Sequence, residues 1–225
     1  MPNYLVIDTS AHASIALIDS ASGNVIGERT SPKGNDQTET LSSYVKELLD
    51  THNQRGQDLA GIIVGVGPGP FTGLRVGLVA ARTFGFVWNV PVHGVMSLHA
   101  LAERVIDAGD APKEFLVASD ARRKEVYWAR YDNTGALLDG PHVAAAFTLD
   151  ALPVYGVGAG IYAEVLRERG ATPVQASFDW IADARYLAPR ALQLLSDGAD
   201  LSDTSPMYLR DSDAQVPAFM KKDKL

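Results

Sequence analysis

The stretch Leu59-Ala60-Gly61-Ile62-Ile63-Val64-Gly65-Val66-Gly67-Pro68-Gly69-Pro70-Phe71-Thr72-Gly73-Leu74-Arg75-Val76-Gly77 decides how the rest of the chain is read. Leu59 to Val66 is an apolar run with β-branched residues, of a length that suits a buried strand. Gly67 to Gly73 breaks the run, and the pattern predicts a helix from about Thr72 to Val87. A strand that feeds a glycine loop and a helix belongs to an α/β fold. Backbone amides at such a helix start can hold an anion. The Gly-Lys-Ser/Thr triplet of a phosphate loop is absent, however, and Pro68 and Pro70 have no amide proton to give. The loop reads better as a rigid turn that sets the helix angle.

The helix itself is unusual. Leu74, Val76, Leu78, Val79, Ala80, Ala81, Phe84, Phe86 and Val87 leave it almost no polar face, whereas a surface helix carries one apolar stripe. Its own sheet can cover only one side. Two readings stand: a central helix of a large core, or a partner-binding helix whose second face another chain covers. Gly73, Gly77 and Ala81 fall at i, i+4 and i+8, a small-residue ridge along which another helix could approach closely.

Outward from this unit, Tyr4–Ile7, Ser14–Ile18 and Val25–Thr30 are short runs separated by turns, an antiparallel start. Asp36 with Glu39 fits a capping box, and Leu41, Tyr44, Val45, Leu48 and Leu49 then keep helical spacing to about His52. Val90–Val95 is a further strand, and Ser97 caps a helix to about Ile106. Glu114–Ala118 and Glu125–Tyr131 read as strands around the charged turn Asp120 to Lys124. A strand at Val154–Val157 precedes a helix from Ile161 to Arg169. Pro189 suits the first turn of a last helix, which Gly198 ends. The composition dips from Asp107 to Pro112, which predicts lobes of residues 1–108 and 109–225, with the tail packing back on the first lobe.

The chain has 27 acidic and 20 basic residues, a net charge of −7, with 46% hydrophobic and 21% charged residues, so wholesale disorder is excluded. A chain this long buries roughly 70% of the surface its unfolded form exposes, which is enough for a sizeable core. It has no cysteine, so disulfides, thiolate metal sites and a cysteine nucleophile are excluded. The acidity argues against a stand-alone nucleic-acid binder, because phosphate contacts need Lys and Arg, but not against a subunit of a nucleic-acid-processing assembly. Phe71–Val92 contains Arg75, Arg82, Asn89 and Pro91 and makes a poor membrane span. Met1 to Ser10 lacks the basic start of a signal peptide, so a cytoplasmic protein is expected.

Candidate chemistry is sparse. The histidines are His12, His52, His93, His99 and His142; no two are spaced i, i+4, which leaves no helical zinc pair, though His93 and His99 could converge in space. Gly-x-Ser-x-Gly is absent. Asp8-Thr9-Ser10 ends the first strand where actin-like ATPases place a metal-linked aspartate and a phosphate hairpin. The following Ala11-His12-Ala13 supplies none of the glycine that lets backbone approach phosphate. Gly156 and Gly158 could border a nucleotide. Arg122-Arg123-Lys124 and the tail Lys221, Lys222 and Lys224 read as a solvated turn and a frayed end.

Several blocks then fall into a known order. Leu5-Val6-Ile7-Asp8-Thr9-Ser10, Gly67 to Gly77, Asp120-Ala121-Arg122-Arg123-Lys124-Glu125-Val126-Tyr127 and Pro206-Met207-Tyr208-Leu209-Arg210 resemble successive signatures of the TsaB (YeaZ) family, with Pro70 where the family usually has Ser. The resemblance implies an α/β, actin-like (RNase H-like) fold of two similar lobes with mixed sheets. It implies a part in making N6-threonylcarbamoyladenosine on the tRNA base 3′ to the anticodon. The partners implied are a TsaD-like paralogue, which holds the metal and the active site, and a TsaE-like ATPase. A homodimer is implied for the chain alone, with tRNA touched at most indirectly. ATP, ADP and metal are expected on the partner subunits, none bound tightly here and no metal ligands in this chain.

The paralogue takes two metal histidines from the helix that here begins at Asp36, and Asn35 to Thr40 contains none. No catalytic residue is therefore expected, and Asp8, Thr9, Ser10, Gly156 and Gly158 form a vestigial nucleotide site. The resemblance places the partner interface on Leu41, Tyr44, Val45, Leu48, Phe71, Leu74, Arg75, Leu78, Val79 and Arg82. The rival readings are a metallopeptidase, an actin-like small-molecule kinase or ATPase, and a scaffold for unrelated partners.

Overall fold

The computed structural model describes residues 2–32, 37–109 and 111–210. The expected capping box at Asp36 and the basic tail Lys221, Lys222 and Lys224 lie outside the described residues. The first sheet contains β1 (Asn3–Asp8), β2 (Ser14–Asp19), β3 (Val25–Thr30), β4 (Gly61–Gly65) and β5 (Val92–Val95), in the order β3-β2-β1-β4-β5. The second contains β6 (Glu114–Asp120), β7 (Glu125–Asp132), β8 (Leu137–Ala145), β9 (Pro153–Tyr155) and β10 (Thr172–Pro173), in the order β10-β9-β6-β7-β8. In each, three strands form an antiparallel meander and two more run parallel to the first. The two sheets share one topology, although the sequence shows no repeat.

The helices are α1 (Gln37–Thr51), α2 (Phe71–Trp88), α3 (Leu98–Asp107), α4 (Val157–Ile161), α5 (Ala163–Glu168) and α6 (Ala184–Ser196). Alternation along β1 sends Leu5 and Ile7 to one face, where Leu41, Val45 and Leu48 of α1 and Leu74 and Leu78 of α2 cover them. Val6 faces the other way, onto Ala184, Leu187 and Ala188 of α6 and Ala100 of α3. In the second sheet Phe115 and Val117 of β6 meet Leu98, Leu101 and Val105 of α3. Leu116 and Ala118 meet Ala159 of α4 and Leu166 of α5. The helix covered on two sides within the chain is thus α3, with Ala100 against one core and Leu101 against the other.

Several local expectations are corrected. β8 escapes the sequence reading because Gly140-Pro141 interrupts its alternation; it is an edge strand with irregular register, where a proline that cannot donate is tolerated. The helix expected at Ile161–Arg169 starts at Val157 and breaks at Tyr162, whose φ of −111° and ψ of 22° leave the helical region. Pro189 lies inside α6, not in its first turn, because Asp183 caps the helix and accepts from the Arg185 amide. The Gly198 stop is present: Gly198 (φ +77°) and Ala199 donate back to Leu195 and Leu194. Ser97 precedes α3 but does not cap it; its Oγ instead accepts the Gly67 amide at 3.1 Å.

Candidate functional site

The end of β1 is closed by the chain's own atoms. Asp8 and Thr9 are fully buried and Ser10 nearly so. Asp8 Oδ1 accepts from the Ser10 amide at 2.8 Å and the Ser10 hydroxyl at 2.6 Å. Oδ2 faces Gly65, where a Cβ would sit 1.8 Å away, and has no hydrogen bond of normal geometry. Burial pushes the Asp8 carboxyl above the ordinary carboxylate range; the Ser10 and Ser97 hydroxyls oppose the shift and Asp183 adds to it. Thr9 Oγ1 donates to the Gly73 carbonyl at 2.7 Å. The glycine loop lies directly on this turn, since a Cβ at Gly69 would meet the Ser10 carbonyl oxygen at 2.8 Å. Asp8, Thr9 and Ser10 therefore hold the loop and the start of α2. They do not line an open cleft.

The other glycines have packing work of the same kind. A Cβ at Gly156 (φ +103°) would lie 2.5 Å from the Ala118 carbonyl oxygen, and one at Gly158 would lie 2.9 Å from the same oxygen. They let α4 close onto β6. The histidines take separate partners: His93 meets the Tyr4 ring edge-on, and His99 Nδ1 bonds the Tyr131 hydroxyl at 3.0 Å. Burial, with the Arg190 charge second, drops the His99 pKa to about 4. Among the described residues no group of three or more His, Cys, Asp or Glu is placed to hold a metal ion.

The outer face of α1 and α2 is the second feature. Of the ten residues expected at a partner interface, Leu41, Val45, Leu48, Leu74 and Leu78 are instead buried in the chain's own core, because they cover β1 and β4. Tyr44 and Phe71 are half-buried, and Arg75, Val79 and Arg82 are exposed. The small-residue ridge also points inward. A Cβ at Gly77 would strike Thr9 Oγ1 at 2.2 Å, and Ala81 is fully buried. What remains outside includes a helical stripe of Thr72, Arg75, Val79, Arg82, Thr83, Phe86 and Val87, of which Val79 is 62%, Phe86 88% and Val87 66% exposed. A groove of about 450 Å³ runs between the two helices, lined by Leu41, Ser42, Arg75, Val76, Val79, Ala80, Thr83 and Phe84. The spacing 79, 82/83, 86 already marks Phe86 in the sequence as part of this stripe, although the interface expected from the resemblance does not include it.

The C-terminal segment braces this face. Arg82 donates to Thr204 Oγ1 at 2.8 Å and to the Thr204 carbonyl at 2.7 Å. Arg75 Nε donates to the Tyr208 hydroxyl at 2.8 Å, and the Tyr208 ring stacks on Phe71 with centroids 4.2 Å apart. The Met207 amide donates to Val66 and the Gly94 amide to Leu201. Arg75 and Arg82 are thus held by their own chain while presenting their outer edges.

The family model described as TsaD, tRNA N6-adenosine threonylcarbamoyltransferase, matches residues 31–172. An uncharacterised protein of Mycobacterium tuberculosis is 36% identical over 213 residues, which cover 94% of this chain and 93% of that protein. The tRNA threonylcarbamoyladenosine biosynthesis protein TsaB of Bacillus subtilis is 29% identical over 229 residues, 94% of this chain and 96% of its own length. The solved structure of YeaZ from Pseudomonas aeruginosa superposes with a TM-score of 0.76 at 26% identity, covering 93% of this chain and 100% of that one. Two mixed sheets of one topology, the actin-like architecture shared with YeaZ, and these matches over most of the chain lead to one conclusion: the chain belongs to the TsaB/YeaZ family.

Proposed function

We propose that this chain is a non-catalytic, activating subunit in the formation of N6-threonylcarbamoyladenosine on the tRNA base 3′ to the anticodon. The relatives named for that biosynthesis support the process. The observation that carries the subunit role is the contrast between two places on the molecule. The strand-end site is filled by Asp8, Thr9, Ser10 and the glycine loop, while α2 keeps an exposed apolar stripe beside a groove. A chain with its site closed and a face to cover acts on a partner, stabilising the partner's competent state by binding it preferentially.

The partner is a TsaD-like paralogue seated on the α1–α2 face, joined by a TsaE-like ATPase. Nucleotide and metal belong to those subunits. Alone, the chain pairs with a second copy through the same face. The lobes divide between Asp107 and Pro112, and the complex works in the cytoplasm. The test is reconstitution with tRNA, the TsaE-like ATPase, ATP, and threonylcarbamoyl-adenylate supplied by the enzyme that makes it from threonine, bicarbonate and ATP. Modification is expected only when this chain and the paralogue are both present. Modification by this chain without the paralogue, or full activity with this chain omitted, overturns the proposal.

A further inference from the structure

The turn between β6 and β7 has an unusual backbone. Arg122, Arg123 and Lys124 have φ of +63°, +55° and +65°, three consecutive non-glycine residues in the left-handed region. L-residues with a Cβ are disfavoured there, and glycine or asparagine would hold the same turn with less strain. The turn is nevertheless well secured. The Arg122 amide bonds Asp120 Oδ1, the Tyr162 hydroxyl bonds the same oxygen at 3.1 Å, and the Ala146 amide reaches the Lys124 carbonyl at 3.2 Å. Arg210 ties in the other side through the Ala121 carbonyl and Glu125. All three basic residues are exposed, and the Arg122 side chain, at 84% exposure, gains little from its 3.2 Å ion pair with Asp120. Next to Ala146 stands Phe147, 49% exposed, with the Arg169 guanidinium 5.6 Å from its ring centroid.

We infer that the Arg122-Arg123-Lys124 turn, with Phe147 and Arg169 beside it, is an RNA-contacting surface that grips the phosphates of an unpaired strand and stacks a base near Phe147. Cations from a fixed turn next to an exposed aromatic ring are what a single strand offers partners for: phosphates on one side and a π-face on the other. An acidic protein segment with an apolar anchor would meet the same groups, and a loss of subunit pairing in the variants below identifies that occupant instead. A chain of net charge −7 cannot hold RNA through one such turn, so the contact is made inside the assembly, where other subunits supply most of the affinity. Identifying the strand as tRNA rests on the function proposed above, and it replaces the sequence-based expectation of indirect contact only.

The experiment pairs the R122N/R123N/K124N variant, and separately Phe147→Ala, with the paralogue and measures binding of an unmodified tRNA transcript across salt concentrations. Asparagine suits the left-handed backbone, so the triple variant is expected to melt at the wild-type temperature or a few degrees higher. Its tRNA affinity should fall several-fold, and the slope of log K against log salt should drop by about 1.4, from Arg122 and Lys124 at roughly 0.7 per phosphate contact on single strands. Phe147→Ala should weaken binding with the slope unchanged. Pairing with the paralogue should be intact in both. Unchanged tRNA affinity and slope overturn the inference. So does a loss of subunit pairing in place of RNA binding, which would make the turn a protein contact. A wild-type assembly that binds tRNA but does not modify it refutes the functional proposal alone. One that modifies tRNA while the triple variant keeps the wild-type slope refutes this inference alone.

Discussion

Leu78 and Val79 are sequence neighbours with opposite fates, and substituting each in turn tests the partner face. Leu78 is buried against the first sheet, whereas Val79 is 62% exposed on the groove between α1 and α2. Leu78→Ala should cost about 2–5 kcal/mol of folding stability, since it removes core methyls and leaves a cavity. For a chain of this size that lowers Tm on the order of 10 °C. Val79→Ala should leave Tm within about 2 °C, because surface changes cost at most about 0.5 kcal/mol. In pairing the order reverses. Covering the exposed part of a valine contributes about 1–2 kcal/mol, so Val79→Ala should weaken association about 5- to 30-fold. Val79→Asp would bury an unpaired charge, which costs about 3–5 kcal/mol, and should weaken association more than 100-fold. The assay is sedimentation, with and without the paralogue, beside thermal melts of each variant. Wild-type association of folded Val79→Asp in both settings would refute the placement of the interface, and a melting temperature well below wild type in that variant would refute the exposure argument.

Further outcomes follow from the buried polar groups and the C-terminal brace. Burial raises the Asp8 pKa, so the stability it contributes is present at low pH and is lost as pH rises through that raised pKa; Asp8→Asn should be at least as stable as wild type at pH 8 and should support full tRNA modification. A folded Asp8→Asn that loses activity would show that the carboxylate does chemistry. His99 titrates near 4 in the fold against 6.5 ordinarily, so the unfolded chain takes up the proton first as pH falls. Its contribution is complete above about pH 6.5 and is lost between there and pH 4, about 3 kcal/mol in all; urea melts of His99→Gln should show a flatter dependence across that window. Arg82→Ala removes two bonds to Thr204 and should cost about 1–3 kcal/mol while speeding proteolysis within 199–210, and unchanged protection would argue against the brace.

Much of the fold was legible because it rests on local chemistry. The runs at Tyr4, Ser14, Val25 and Leu59 alternate or stay apolar over strand lengths, and turn formers separate them. Helical spacing marks α1, and Gly198 marks the end of α6. β8 was not legible, since Gly140-Pro141 breaks the alternation that an edge strand can afford to lose. Pro189 misled because proline is commonest at helix starts, and only the Asp183 cap shows that α6 is already under way.

The sequence by itself determined the order of strands and α-helices as far as β7, the family and the absence of cysteine chemistry, all of which depend on residue type and spacing along the chain. With apolar residues on nearly every side of α2, it did not settle which of them face inward. Periodicity is weak when so many sides are apolar, and α2 is oriented by Gly77 lying against Thr9, far away in sequence, and by Gly85 against Val92 of the next strand. That orientation sends Leu74 and Leu78 into the core and leaves Val79 and Phe86 outside. The tertiary structure alone likewise closed the end of β1, because the atoms that fill it come from the loop at Gly69 and the start of α2. It also fixed three basic residues in a left-handed turn, where bonds from Tyr162, Ala146 and Arg210 overrule the preference of the local backbone.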